Sequence, residues 1–270
     1  MNDLVIGMAA GYGWAELEPF VVSLRRSGYQ GRCVLMCGDR ITPELMKKLE
    51  EYNIEVYFGN MQGEHPIVAR FRIMAKTNLL DQTRYVLAVD TRDIVFQANP
   101  FTDIERFIQP NHKEILVVSE GVRYESSEGN KKNMTDAFGP QKYDDMRHKW
   151  VCNGGVIGGT PDLLKAFFDR VYVICGKDRR GKVGYSEMLP DQSAMNTLIR
   201  LEEPWRGKTK VVTARDGYVF GNHHFPLEFP IPKIIDGLIY LDDAALPVTI
   251  IHQYDQNDNF RDAVRARWKE

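Results

Sequence analysis

The chain has 270 residues with 35 basic and 37 acidic side chains, and its net charge of -2 is spread along the sequence rather than gathered in a tail. That length suits one large α/β domain whose core needs no disulfide staples, and the balanced charge argues against broad nucleic-acid affinity. No stretch stays apolar for the about 18 residues that a membrane span needs, and MNDLVIGMAAGYGW carries an early Asp3 with no basic flank, so neither a span nor a signal peptide is expected and the cytoplasm is the expected compartment.

In chain order, LVIGMA (4–9) reads as a first buried strand, followed by the turn AAGYGW and an amphipathic helix, LEPFVVSLRRSGY, that ends near Gly28. RCVLMC gives a second strand, closed by Gly38 and Asp39. Cys33 and Cys37 share one face of it. With Cys152 and Cys175 they fit no disulfide ladder or zinc spacing, and buried reduced thiols are expected. Thr42 and Pro43 mark the start of a helix, TPELMKKLEEY, and IEVYF makes a third strand. The β-α-β-α-β order implies a parallel sheet with right-handed crossovers.

After the polar loop GNMQGEHP, ARFRIMAKTNLL has helical spacing and leads into YVLAVDTRDIVF (85–96), the expected central strand. Ligands of open α/β sheets sit at the carboxyl ends of the strands, which is where Asp90 and Asp93 fall. Two carboxylates there suit a divalent cation with oxygen ligands, and such a cation commonly sits on a diphosphate. DIERFI reads as a short helix and EILVVSE as a strand, whereas Gly121 to Trp150 has no clean period and is expected as a long functional loop. VCNGGVIGG is read as a short strand with a turn at Asn153, Gly154 and Gly155. Thr160 and Pro161 then start an apolar helix, and PDQSAMNTLIRL is a helix with Asp191 in its first turn. From Lys210 the pieces KVVTA, GYVF, GLIYL and VTIIHQY are strand-like and read as mixed sheet edge rather than a second domain.

An apolar strand ending in Asp90-Thr91-Arg92-Asp93, then Asn153-Gly154-Gly155, Asp191-Gln192 and the late His252, in that order and separation, resembles a GT-A-fold, nucleotide-sugar-dependent glycosyltransferase, most nearly the glycogenin-like group. The resemblance implies a single α/β domain over 1–270, with a mixed, mainly parallel sheet flanked by helices. It implies a nucleotide-binding half at 1–109 and an acceptor-binding half at 110–270. It implies Mn²⁺ or Mg²⁺ held by Asp90, Asp93 and His252 under the diphosphate of a sugar donor, UDP more than GDP, and a glycan or glycoprotein acceptor. Ala9, Gly11, Tyr12 and Asp39 would meet the base and ribose, Arg70 the nucleotide and Arg92 the diphosphate. Asn153, Gly154 and Gly155 would lie against the sugar, with Asp191 and Gln192 as the catalytic pair.

The family motif has its carboxylates two apart. Here Arg92 stands at that place and Asp93 one further on. Residues three apart on a regular strand face opposite sides, so both carboxylates reach one ion only if the strand bends. Each residue also has a plainer reading: Asp90 capping a turn or pairing with Arg92, His252 as a hydrogen-bonded core residue, Asp191 as a helix cap, and Trp150, Trp205, Tyr218 and the His223-His224 pair as packing rather than acceptor contacts. A nucleotidyltransferase lacks its glycine-rich loop in AAGYGWAELEPF, and an aspartyl phosphohydrolase lacks its second acid at position 92. A sugar-nucleotide or glycan-binding module without turnover stays open.

Overall fold

The computed structural model describes residues 2–38, 41–108, 114–175, 190–221, 232–241 and 244–269. β1 (Asn2–Met8), β2 (Arg32–Cys37), β3 (Glu55–Phe58) and β4 (Thr83–Val89) run parallel in the order β3-β2-β1-β4. β1, β2 and β4 are buried nearly throughout, as strands covered on both faces must be. The crossovers are α1 (Trp14–Arg26), α2 (Pro43–Glu51) and α3 (Pro66–Lys76). α1 ends before Gly28, whose φ of +88° suits glycine, and Thr42 caps α2 by accepting from the Leu45 N–H at 3.2 Å. Cys33 and Cys37 lie in one buried cluster, and all four cysteines are free and buried.

The sheet continues through β7 (Trp150–Gly159), β6 (Ile115–Arg123) and β8 (Thr209–Val212) to give seven strands in the order β3-β2-β1-β4-β7-β6-β8. β7 is antiparallel to both neighbours, so the sheet is mixed and mainly parallel. Apolar side chains of α1 and α2 fill one face. Those of α3, α6 (Pro161–Cys175) and α7 (Asp191–Leu201) fill the other. With α4 (Glu128–Phe138), α5 (Pro140–Met146) and α8 (Asp258–Trp268) there are eight α-helices among the described residues, none long and apolar enough to cross a membrane.

Four sequence expectations are corrected. Tyr85 to Phe96 is not one strand: β4 stops at Val89, and β5 (Ile94–Phe96) belongs to a second sheet with β12 (Ile250–His252) and β9 (Val219–Gly221). Asn153, Gly154 and Gly155 are not a turn but part of β7, where pairing to β6 jumps from Val117↔Ile157 to Val118↔Asn153 and leaves a wide bulge. Gly121 to Trp150 is not a loop, since it holds the end of β6 together with α4 and α5. Those helices bury only Asn130, Met134 and Met146, too few to print a period on the sequence. DIERFI is a single 3₁₀ turn over Ile104–Arg106.

The break after Val89 is held from three sides. The Thr91 hydroxyl donates to the Met8 carbonyl at 2.7 Å, the Asp90 N–H to the Gly155 carbonyl at 2.9 Å, and the Gln253 N–H to the Asp93 carbonyl at 2.7 Å. Gly7 makes room for it, because a Cβ there would lie 2.3 Å from Thr91 Cγ2 and 2.8 Å from the Val89 carbonyl oxygen. Gly7→Ala is therefore expected to lower stability by about 1–3 kcal/mol through overpacking, read as a shift in the urea midpoint with an unchanged slope.

Candidate functional site

β12 pairs antiparallel with β5, setting His252 opposite Ile94 and therefore beside Asp93. The bend between β4 and β5 turns Asp90 to the same place. One ligand atom from each of Asp90, Asp93 and His252 lies within 4.8 Å of the others. His252 Nε2 is 3.5 Å from Asp90 Oδ2 and 3.9 Å from Asp93 Oδ1, and this buried nitrogen has no hydrogen-bond partner. Gly155 forms the wall behind it: a Cβ there would fall 2.4 Å from Nε2 and 2.9 Å from Asp90 Oδ2. Two carboxylates and an orphaned imidazole nitrogen make a donor set that fits a divalent cation.

Arg70 organises the flank. Its guanidinium is buried and donates to Asp90 Oδ1 at 2.5 Å, to the Gly154 carbonyl at 3.1 Å and to Asp191 Oδ2 at 3.2 Å. Arg72, on another face of α3, instead pairs with Glu64 at 2.8 Å. Partial burial would raise the Asp90 pKa, but Arg70 and His252 outweigh it and hold Asp90 well below the usual carboxylate range. Burial raises Asp93 and Asp191, against the pull of His252 on the first and of Arg70 on the second. Burial opposes the His252 imidazolium, yet the Asp90 and Asp93 carboxylates prevail and raise its pKa. On the other side of the ring, the Asn153 amide nitrogen lies 3.2 Å from Nδ1.

A cavity of ≈ 350 Å³ opens beside these groups, lined by Ala10, Tyr12, Pro66, Arg70 and the turn Asp90 to Asp93. Arg92 reaches Asp255 at 3.4 Å and Asp93 at 4.0 Å, and half its side chain stays open to solvent. Ala9 packs in the core with its N–H on the Met36 carbonyl, and Gly11 turns the chain at φ +83°. Asp39, His223 and His224 lie outside the described residues. Tyr218 is core, donating to the Pro100 carbonyl at 2.7 Å; Trp205 packs on Phe167, and Trp150 is exposed at the start of β7.

Sequence reasoning missed a polar lattice on the other side of Gly154. Gln192 Oε1 accepts from the Gly154 N–H at 3.2 Å, while its Nε2 donates to Glu120 and to Asn130 Oδ1, both at 2.9 Å. Asn130 in turn donates to Glu120 at 2.9 Å. Asn196 exchanges two hydrogen bonds with the Cys152 backbone, at 2.8 and 2.6 Å, standing in for a neighbouring strand. Only the polar stripe of α7, with Gln192 and Asn196 four apart, could have signalled it.

Compared with known proteins, the chain matches no family model and no curated sequence.

Arg70→Met is expected to destabilise by about 3–5 kcal/mol at neutral pH, the range for stranding a buried charge, and nearer the lower end because Asp90 reaches water. The folded pKa of Asp90 lies below its ordinary 3.8, so the stability it gains from Arg70 is present above that value and lost as pH falls towards the folded one. Urea titrations at pH 7 and pH 3.5 should show the deficit of the variant shrinking on acidification.

Proposed function

We propose that the chain is a GT-A-type glycosyltransferase that moves one sugar from a nucleoside diphosphate donor, UDP-linked by resemblance, to a hydroxyl of a glycan or glycoprotein. The observation that carries this is the meeting of the buried His252 with Asp90 and Asp93, two carboxylates that line a cavity also presenting Tyr12, Arg70 and Arg92. The mixed, mainly parallel sheet flanked by helices agrees with the architecture that the resemblance implies. Asp90, Asp93 and His252 would hold Mn²⁺ or Mg²⁺, which when bound stabilises the negative charge on the leaving diphosphate.

The other roles fall to the chain itself. Tyr12 offers a ring to the base at the cavity wall, and the half-exposed Arg92 offers a fixed cation to the diphosphate, in the place where the family motif has a second carboxylate. Arg70 keeps Asp90 ionised and sets Asp191 against Gly154. Asp191 and Gln192 stand at the start of α7, where the helix dipole favours an anion; the Gln192 carbonyl oxygen keeps one lone pair beyond its bond to Gly154. One carboxylate oxygen of Asp191 is taken up by Arg70 at 3.2 Å, a structural use that favours a second reading, a sugar-nucleotide-binding module without turnover.

Calorimetry with UDP in the presence and absence of Mn²⁺ tests the first reading, with ion-dependent binding expected; no binding of either would remove it. Release of UDP from a UDP-sugar separates the enzyme from the silent module. Asp93→Ala is expected to abolish ion-stimulated release with an unchanged circular dichroism spectrum, and His252→Ala to weaken Mn²⁺ by about tenfold or more. Mn²⁺ affinity should fall as pH drops through the His252 pKa, which lies above its ordinary 6.5, because the ion competes with the proton that His252 holds.

A further inference from the structure

Asn153 is buried on β7, and both polar ends of its side chain are committed. Its Oδ1 accepts from the Gly155 N–H at 3.0 Å, which leaves the amide Nδ2 3.2 Å from Nδ1 of His252. An amide nitrogen can only donate. Exchanging the two ends of the amide would set donor against donor at Gly155, so that backbone N–H fixes which end meets the imidazole. Nδ1 must then present its lone pair, and the single proton of the neutral ring stands on Nε2, the nitrogen facing Asp90 at 3.5 Å and Asp93 at 3.9 Å. The geometry points to Asn153 as a tautomer lock that holds His252 in the form unable to ligate an ion through Nε2.

The tautomer follows from the hydrogen bonds alone; its consequence for an ion rests on the glycosyltransferase reading. To engage an ion through Nε2, the ring must give up the proton there and take one up at Nδ1, staying neutral but losing its bond from Asn153. An ion is then held chiefly by Asp90 and Asp93, with His252 recruited against the lock, which makes the site weaker than its three ligands imply. A carboxylate at 153 has no such conflict. It accepts from Gly155 N–H and from Nδ1–H together, and it frees Nε2.

The test uses Asn153→Asp, which keeps the side-chain size. Long-range ¹⁵N–¹H spectra of the ion-free protein at pH 9 should show the His252 proton on Nε2 in the native chain and on Nδ1 in the variant. In Mn²⁺ calorimetry, Asn153→Asp should tighten binding, and the gain should exceed the gain of the same substitution in a His252→Ala background by about tenfold, which separates the effect through the ring from that of the added charge. A native Nδ1–H signal, or equal gains in the two backgrounds, overturns the lock. A tautomer change with no Mn²⁺ binding in any variant upholds the lock and removes the ion from the proposed function.

Discussion

Asp90 to Asp93 carry the chain from one sheet into another, and the chemistry of this region depends on that transfer. Had β4 run on as a regular strand, Asp90 and Asp93 would have faced opposite sides. Because β4 ends at Val89 and β5 begins in the small sheet at Ile94, both carboxylates turn toward His252, which β12 supplies from the far end of the sequence. The transfer is stabilised by backbone and hydroxyl hydrogen bonds, and it uses a glycine on each side, Gly7 and Gly155, where a methyl group would not fit.

Electrostatic order is built around the same point. Arg70 is a cation placed between Asp90 and Asp191, and its desolvation is offset by two charged partners and a carbonyl. Asp93 has only the half-exposed Arg92 at 4.0 Å, and burial leaves its pKa raised beside the His252 ring. The polar lattice of Glu120, Asn130 and Gln192 fixes the opposite side of Gly154, so the backbone of the β7 bulge is gripped from two directions.

Much of this was legible in the sequence where the signal was local. The first three strands, the Thr42 cap, the start of α6 and the placing of Asp90 and Asp93 at a strand end all follow from apolar runs and capping residues. The bend that lets both carboxylates meet was required by their spacing before it was seen. What stayed hidden was set by tertiary pairing. YVLAVDTRDIVF reads as one strand because nothing in its pattern says that its two ends join different sheets. The Asn153 glycine run looks the same whether it forms a turn or a bulge, and Asn153, expected against a sugar, has its amide taken up by His252 and Gly155. Glu120 and Asn130 gave no cue, since their partners come from elements more than sixty residues away or from a helix with almost no buried face.

The small sheet joins β5 to β9 and β12, which lie more than a hundred residues further along the chain, and each strand is only three residues long. Such distant pairings are slow to close. The order of assembly is therefore built into the topology: the broad sheet can consolidate while the histidine strand is still absent. Peeling that one strand away would part His252 from Asp90 and Asp93, and because Ile250 lies in the same buried cluster as α1 and β4, it would open the main core with it.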